Sequence, residues 1–298
     1  MLQVLVDVLV PVFAVVAIGF GLSKSIGIEP RALATLAYWV LGPAFIFNVL
    51  ATAELEADVV VKVVAASALV MLVAGLTAAL AMSLIGSSFS QLAATVLTST
   101  YGNAGNFGLA ISAFAFGAEA LPVASIVMVT VNTLGILTGV GLARVRHGSL
   151  SRAAVTALSS PLAVAVVPAL VVNLTDAGLP IWLDRPISLL AGALIPVMLL
   201  TLGVQLAGMS RALPGPKIGV PIAVKLVLAP VIAVVAIGLL DLGGLPGDVV
   251  ILQAAMPAAV FTSLIAIEHD LEPDYVTSIV LLGTLISAAT LPVVITLL

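Results

Sequence analysis

Long apolar segments alternate with short polar ones along almost the whole chain. A transmembrane helix needs about 20 predominantly apolar residues to cross the hydrocarbon core of a bilayer. With charged residues, prolines and glycines taken as boundaries, ten segments reach about this length. They cover residues 4–22, 32–51, 59–82, 91–116, 120–143, 154–174, 187–208, 218–240, 249–268 and 275–297. The pattern therefore predicts an all-α membrane protein with ten transmembrane helices, named spans 1 to 10.

The composition indicates that lipid, rather than water, is the main solvent of this chain. Of its 298 residues, 62% are hydrophobic and only 8% are charged, whereas a soluble domain is about 25% charged. The formal net charge is −4, and the chain has no run of basic residues of the kind that binds nucleic acid. We therefore expect the lipid bilayer as a partner, and no nucleic acid.

The residue types do not favour an enzyme or a metal centre within the membrane. The chain has no cysteine, and both histidines, His147 and His269, lie in predicted loops. Neither a Ser-His nucleophile nor a histidine-metal site can then be placed at midspan. Every Asp and Glu also falls at or near a predicted span end. We therefore predict that the protein is not an enzyme and has no metal site and no cofactor.

The distribution of Lys and Arg predicts the orientation of the spans. Seven of these residues fall on the side of the loops that follow odd-numbered spans: Lys24, Arg31, Arg144, Arg146, Arg152, Arg211 and Lys217. The opposite side receives Arg185, and Lys62 only if its side chain reaches out of the membrane. Cytoplasmic loops are enriched in Lys and Arg. We therefore expect a multi-pass protein of the cell inner membrane with both termini on the non-cytoplasmic side.

The longest charged loop divides the predicted spans into two sets of five. We predict a first five-helix repeat at 1–143, a cytoplasmic linker at 144–153 and a second five-helix repeat at 154–298. Because each half has an odd number of spans, the two halves have opposite topology. Inverted repeats with helices interrupted at matching places are typical of secondary transporters.

Each half contains one span whose centre is unsuited to continuous helix. Span 4 carries YGNAGNFG at 101–108, in which glycine and asparagine weaken the helix. Span 9 carries Pro257, which removes a backbone donor from the stretch 253–259. Non-helical backbone persists at membrane depth only beside protein or a water-filled cavity. The two interruptions therefore predict a polar cavity at the midplane, where the N-termini of the half-helices favour an anion.

Several short motifs carry a likeness to a known family. They are LGPAFIF at 41–47, NAGNFGL at 103–109, Asn132, Pro196, Lys225 and, as the most specific, QAAMPA at 253–258. In their order and spacing, the chain resembles the auxin efflux carrier family of the bile acid/arsenite/riboflavin transporter superfamily, over its whole length. The resemblance implies a sodium/bile acid symporter and NhaA-like fold, with two inverted five-helix repeats and interrupted, crossing helices 4 and 9.

The same resemblance implies how such a protein works. Spans 1, 2, 6 and 7 would form a scaffold through which two copies make a homodimer, and spans 3–5 and 8–10 would form a moving transport domain. The expected substrate is a small organic anion, such as an indole or dicarboxylic acid, moved by elevator-type alternating access. Two alternatives stay open: a transporter-fold receptor that binds solute without transport, and a sodium- or proton-coupled symporter of a bile-acid-like solute.

Ten residues are candidates for the site. The predicted substrate-binding residues lie in the two interruptions and in span 5: Asn103, Gly105, Asn106, Asn132, Gln253, Met256 and Pro257. The amide side chains could instead serve contacts between helices. Asp58, Lys62 and Lys225 are predicted supporting or coupling charges, although the first two could equally form a solvated interfacial pair. A lysine near the bilayer centre is unfavourable by about 2.5–3.5 kcal/mol, which favours a functional role for Lys225.

Overall fold

The computed structural model describes residues 2–144, 150–175, 178–209, 215 and 217–298. All regular structure in these ranges is helical, apart from one isolated pair of bridged residues described below. The helices are α1 (Leu2–Ile26), α2 (Pro30–Ala51), α3 (Ala57–Leu84), α4 (Phe89–Thr100), α5 (Ala104–Phe116), α6 (Leu121–Arg144), α7 (Leu150–Leu158), α8 (Pro161–Thr175), α9 (Ile181–Gly208), α10 (Gly219–Leu239), α11 (Gly244–Ala254), α12 (Phe261–His269) and α13 (Pro273–Leu297).

Seven of these helices are long and apolar enough to cross a membrane, namely α1, α2, α3, α6, α9, α10 and α13. They correspond to predicted spans 1, 2, 3, 5, 7, 8 and 10, so the chain is a multi-pass membrane protein. Span 6 corresponds to the shorter apolar helix α8, while spans 4 and 9 are each divided into two helices. The described residues before α7 form the helices α1–α6, and those after it form α8–α13. The count of ten transmembrane passes and the opposite orientation of the halves stay predictions.

The predicted start of span 6 at residue 154 is wrong. The helix α7 extends to Leu158, and a turn at residues 159–160 separates it from α8. Proline disfavours helical backbone in the residue before it and suits the first helical position. Pro161 therefore starts a new helix, and the hydroxyl of Ser160 accepts a hydrogen bond from the Ala163 N–H at 3.3 Å as an N-cap. Part of the predicted linker, 145–149 with Arg146 and His147, lies outside the described residues, as does Arg211.

Two sets of helices pack closely. The helix α1 lies along α9, and α2 lies along α8 and α9. Gly19 and Gly203 lie where α1 and α9 approach most closely, because a Cβ atom on either would collide with the backbone of the other helix. Small residues at such contacts let transmembrane helices come together. The helix α3 packs against α4, α6 and α10, and its Gly75 lies beside Thr100, the last residue before the interruption.

Candidate functional site

The two interrupted helices meet at their breaks. The helix α4 ends at Thr100, and Tyr101, Gly102 and Asn103 leave the helix before α5 begins. The Asn103 N–H donates to the Pro257 carbonyl oxygen at 2.8 Å, and the Ala259 N–H donates to the Tyr101 carbonyl oxygen at 2.9 Å. Gly102 and Ala258 thus form an isolated antiparallel bridge. Each break satisfies the backbone groups of the other, which non-helical chain at membrane depth requires.

Gly102 lies against the end of the Lys225 side chain, which comes from α10. A Cβ atom on Gly102 would lie 2.8 Å from both Cε and Nζ of Lys225, closer than packed atoms can approach without displacement. Lys225 is only 5% exposed, and its backbone belongs to a π-turn formed by Val224–Leu228. Single π-turns inside α-helices occur frequently at functional sites.

The ammonium group of Lys225 lies at the C-terminal end of α11. Its Nζ atom donates to the Ala254 carbonyl oxygen at 2.9 Å, where the helix dipole places partial negative charge. Throughout the described residues, the one ion pair joins Lys62 to Asp58. Lys225 therefore has a carbonyl oxygen as its partner and lacks a carboxylate within that part of the chain.

The helix α5 begins at the crossing with a wide first turn. Ala104–Gly108 form a π-turn, closed by the Gly108 N–H, which donates to the Asn103 carbonyl oxygen at 2.9 Å. The N-terminus of a helix carries partial positive charge and N–H groups without helical partners. Asn103 itself is 3% exposed, and its side-chain nitrogen has no hydrogen-bond partner. Asn106, on the same turn, is partly exposed.

The other predicted amide residues approach the crossing from α6 and α11. The Tyr101 hydroxyl donates to Asn132 Oδ1 at 2.6 Å, and Asn132 Nδ2 is buried without a partner. Gln253 Nε2 donates to the Ser112 hydroxyl at 3.2 Å, while its Oε1 is buried without a partner. The side chain of Gln253 lies against Gly108, where a Cβ would overlap it.

The remaining predicted binding residues shape the crossing rather than expose polar atoms. Met256 and Pro257 are buried within the break between α11 and α12. Gly105 lies between α6 and α9, where a Cβ would be 3.2 Å from Met128 Sδ and from Met198 Cε. These residues determine how closely the two broken segments can approach their neighbours.

The cavity beside Lys225 is small. Its polar wall consists of Ser67, Thr100, Lys225 and Gln253, and its volume is about 20 Å³. A single water molecule needs roughly 10–15 Å³ of such volume, so the cavity is too small for an organic acid. A larger groove of about 510 Å³ runs between α2 and α8, but its wall is mainly apolar and includes none of the predicted site residues.

Asp58 and Lys62 lie apart from the crossing. Lys62 Nζ is 2.8 Å from Asp58 Oδ2, and the side chains are 26% and 66% exposed for Lys62 and Asp58, respectively. Lys62 Nζ also donates to the Asp241 carbonyl oxygen at 3.3 Å, which joins the start of α3 to the loop before α11. Ser67, on the cavity wall, lies five residues further along α3.

Three polar residues contribute to the crossing although they are not among the ten candidates, namely Tyr101, Ser112 and Thr100. For Tyr101, the sequence is compatible both with a membrane-embedded aromatic whose hydroxyl is satisfied and with a residue of the cavity wall. A signal for Tyr101 exists in hindsight: Gly135 follows Asn132 by three residues, and the Tyr101 ring packs against it. Residues three apart lie on one face of a helix, so Gly135 leaves room for an aromatic ring beside the Asn132 amide.

A polytopic helical bundle with two interrupted helices joined at their breaks, and with buried amide and ammonium groups beside them, is typical of membrane transport proteins. The sequence model of a family described as membrane transport protein matches residues 146–295. The chain therefore belongs to this family, that of the auxin efflux carriers.

One relative is described as a transporter. An uncharacterized transporter of Methanothermobacter thermautotrophicus is 31% identical over 193 residues, which are 64% of this chain and 63% of that protein. The chain thus matches somewhat less than two thirds of the length of this curated relative. The likeness supports a transporter and specifies no substrate.

Proposed function

We propose that the chain is a secondary transporter that moves a small organic anion through the crossing of the two interrupted helices. The observation that carries this proposal is the buried ammonium of Lys225, whose hydrogen-bond partner is the Ala254 carbonyl oxygen rather than a carboxylate. A lysine near the bilayer centre is unfavourable by about 2.5–3.5 kcal/mol. An anionic solute would offset this free energy by supplying the missing opposite charge.

The polar atoms left free around the crossing also suit an anion. Asn103 and Asn132 each have an unpartnered side-chain N–H₂ group, and the first turn of α5 adds positive potential and backbone donors. A carboxylate accepts hydrogen bonds at both oxygens and is the natural ligand for such a set. We propose that Gly105 and Asn106 contact the solute on the α5 side, and that Gln253, Met256 and Pro257 do so on the α11 side.

Alternating access would follow from the small size of the cavity. A volume of about 20 Å³ excludes an indole or dicarboxylic acid, so the helices around the crossing must separate before such a solute enters. We propose that α1, α2, α8 and α9 form a static scaffold, and that the helices around the crossing move against it in an elevator-type motion. The close glycine contacts between α1 and α9 support a rigid scaffold.

We further propose that two copies associate through this scaffold. Trp39 and Val164, which line the groove between α2 and α8, are 63% and 55% exposed. A second copy would cover these side chains. Coupling to protons or sodium remains compatible with this arrangement, as does uniport driven by the membrane potential; no cofactor is required in any of these schemes.

The decisive test is transport by the purified protein in proteoliposomes. Thermal-shift screening against carboxylates and indole acids would first select a ligand, and uptake of the radiolabelled compound would then be measured with and without proton and sodium gradients. Saturable uptake supports a carrier. Binding without uptake indicates a receptor. If organic acids give no thermal shift and cations or neutral solutes do, the proposed substrate class is wrong.

A further inference from the structure

Tyr101 joins both interruptions to α6. Its backbone N–H donates to the Leu97 carbonyl oxygen at 3.0 Å, and its carbonyl oxygen accepts from the Ala259 N–H at 2.9 Å. Its side chain is 5% exposed, and the ring meets the ring of Phe261 edge-on at 6.0 Å between centroids. The phenol is therefore held by the last turn of α4, by the partner break and by the start of α12.

The surface of α6 is shaped to receive this ring. A Cβ atom on Gly135 would lie 2.5 Å from the ring atoms Cγ and Cδ1 of Tyr101, so a larger residue would push the ring away. Asn132, three residues earlier on the same face of the helix, accepts the Tyr101 hydroxyl hydrogen bond at Oδ1 over 2.6 Å. The ring and its hydroxyl are thus both fitted to one turn of α6.

This hydrogen bond determines what Asn132 can offer a solute. A phenol donates to the carbonyl oxygen of the amide, so the carbonyl is occupied and the N–H₂ group is left; Asn132 Nδ2 is buried and unpartnered. Met128, one turn before Asn132, lies against Gly105 in the first turn of α5. Residues four apart share a helix face, so Asn132 lies on the face of α6 that meets this turn. Asn103, also with an unpartnered N–H₂ group, directly precedes the same turn.

We infer that Tyr101 is a positioning residue that sets the specificity of the crossing for carboxylates over their carboxamides. By donating to the carbonyl oxygen of Asn132, the Tyr101 hydroxyl fixes the orientation of this amide and leaves its N–H₂ group as the end that a solute can meet. A carboxylate accepts from such donors with both oxygens, whereas a carboxamide places its own N–H₂ group against one of them. A mismatch of this kind between buried polar groups discriminates strongly between similar ligands. This inference rests on the proposed function of the crossing as an anion site.

The test compares matched acids and amides on the full chain in lipid nanodiscs. Dissociation constants are measured for indole-3-acetate and indole-3-acetamide, and for succinate and succinamate, with the wild type and with Tyr101→Phe. Tyr101→Phe keeps the ring against Gly135 and removes the hydroxyl, so the Asn132 amide becomes free to present either end. We expect the preference for acid over amide to fall about two- to tenfold, the equivalent of one net hydrogen bond.

A second tyrosine provides a matched control. The Tyr275 hydroxyl forms hydrogen bonds with the Thr95 hydroxyl at 2.9 Å and with the Lys217 carbonyl oxygen at 3.1 Å, contacts that involve neither Asn132 nor Asn103. Tyr275→Phe also removes one buried hydroxyl, and it should leave the acid-to-amide ratio unchanged. A purely structural role for Tyr101 would weaken acid and amide equally and leave the ratio as in the wild type, which overturns the inference.

Asn132→Asp supplies a second variant. It retains an oxygen for the Tyr101 hydroxyl but removes the N–H₂ group and adds negative charge, so acid binding should be lost. Retention of the acid preference in Asn132→Asp would also overturn the inference. If the wild-type protein binds neither acid, both the proposed function and the inference are wrong. If the wild type prefers acids over amides and Tyr101→Phe keeps the same preference, only the inference is wrong.

Discussion

The side chain of Lys225 connects the two interrupted helices by donating to Ala254. Its Nζ atom lies 2.9 Å from the carbonyl oxygen of Ala254, the last residue of α11, while its terminal atoms cover Gly102 on the other interruption. One cation thus contacts both breaks. The arrangement gives Lys225 two roles that can be separated by experiment: it compensates the C-terminal end of α11 and it supplies positive charge to the cavity.

Lys225→Met should weaken binding of an organic acid by roughly 10- to 100-fold, because a hydrogen bond to a charged group contributes about 1.5–3 kcal/mol. Methionine has a similar length and removes the desolvated charge, so the melting temperature should change little. The melting temperature without ligand measures the effect on stability. The ligand-induced thermal shift and proteoliposome uptake measure the effects on acid binding and on transport. Lys217→Met is the control, because Lys217 contacts Gly86 and Gln91 instead. Equal acid affinity in both variants would exclude Lys225 from the site.

Gly102→Ala should weaken solute binding and uptake with little change in melting temperature. The added Cβ would lie 2.8 Å from Cε and Nζ of Lys225, so the flexible end of the lysine side chain must shift away from its place between the two breaks. Gly21→Ala is the matched control, because no atom lies within 4 Å of its added Cβ. If both variants keep wild-type solute binding and uptake, the tight contact between Gly102 and Lys225 does not contribute to function.

Asn103→Ala should abolish transport without loss of expression or of thermal stability. The side-chain nitrogen of Asn103 is buried and unpartnered, so its removal breaks no hydrogen bond of the ligand-free protein. Asn173→Ala provides the opposite case: Asn173 Nδ2 donates to the carbonyl oxygens of Leu50, Ala51 and Ala53 at the end of α2. It should lower the melting temperature and leave solute affinity unchanged. Unchanged transport kinetics in Asn103→Ala would remove this residue from the site.

Neutralising the pair of Asp58 and Lys62 tests whether these residues support transport. Both side chains are partly or largely exposed, so Asp58→Asn, Lys62→Gln and the double variant should keep the wild-type melting temperature. A supporting role predicts that each single variant lowers the uptake rate several-fold and that the double variant lowers it no further. Wild-type uptake in all three variants would instead indicate a solvated interfacial pair.

Single cysteines test the predicted dimer, and the wild-type chain has no cysteine to remove first. Val164→Cys lies in the groove between α2 and α8, and Leu239→Cys lies on α10 with 74% exposure. A short thiol-reactive crosslinker should give a dimer band with Val164→Cys in membranes and none with Leu239→Cys. Crosslinking at position 239 alone would contradict association through the scaffold.

The sequence located the helix interruptions well because their causes are local. Glycine and asparagine at 101–108 weaken the helix, and Pro257 removes a donor, whatever surrounds them. The predicted start of span 6 at residue 154 is wrong for a reason that is local too, because Pro161 and the Ser160 cap start a new helix after the mainly apolar residues 154–158. The partners at the second break depend on residues distant in sequence: Gln253 donates to Ser112, and Lys225 donates to the carbonyl oxygen at the end of α11.

The sequence by itself determined that lipid surrounds this chain, where its helices run and where two of them break, since each depends on runs of neighbouring residues. Tertiary structure alone decided which groups face each other across the crossing: Lys225 with Ala254, and Tyr101 with Asn132. These pairs are separated by about thirty residues, and their contact depends on how the intervening helices pack. The tertiary structure also decided which side-chain amide atoms have no hydrogen-bond partner, because contacts with other helices determine which end of each amide is bonded.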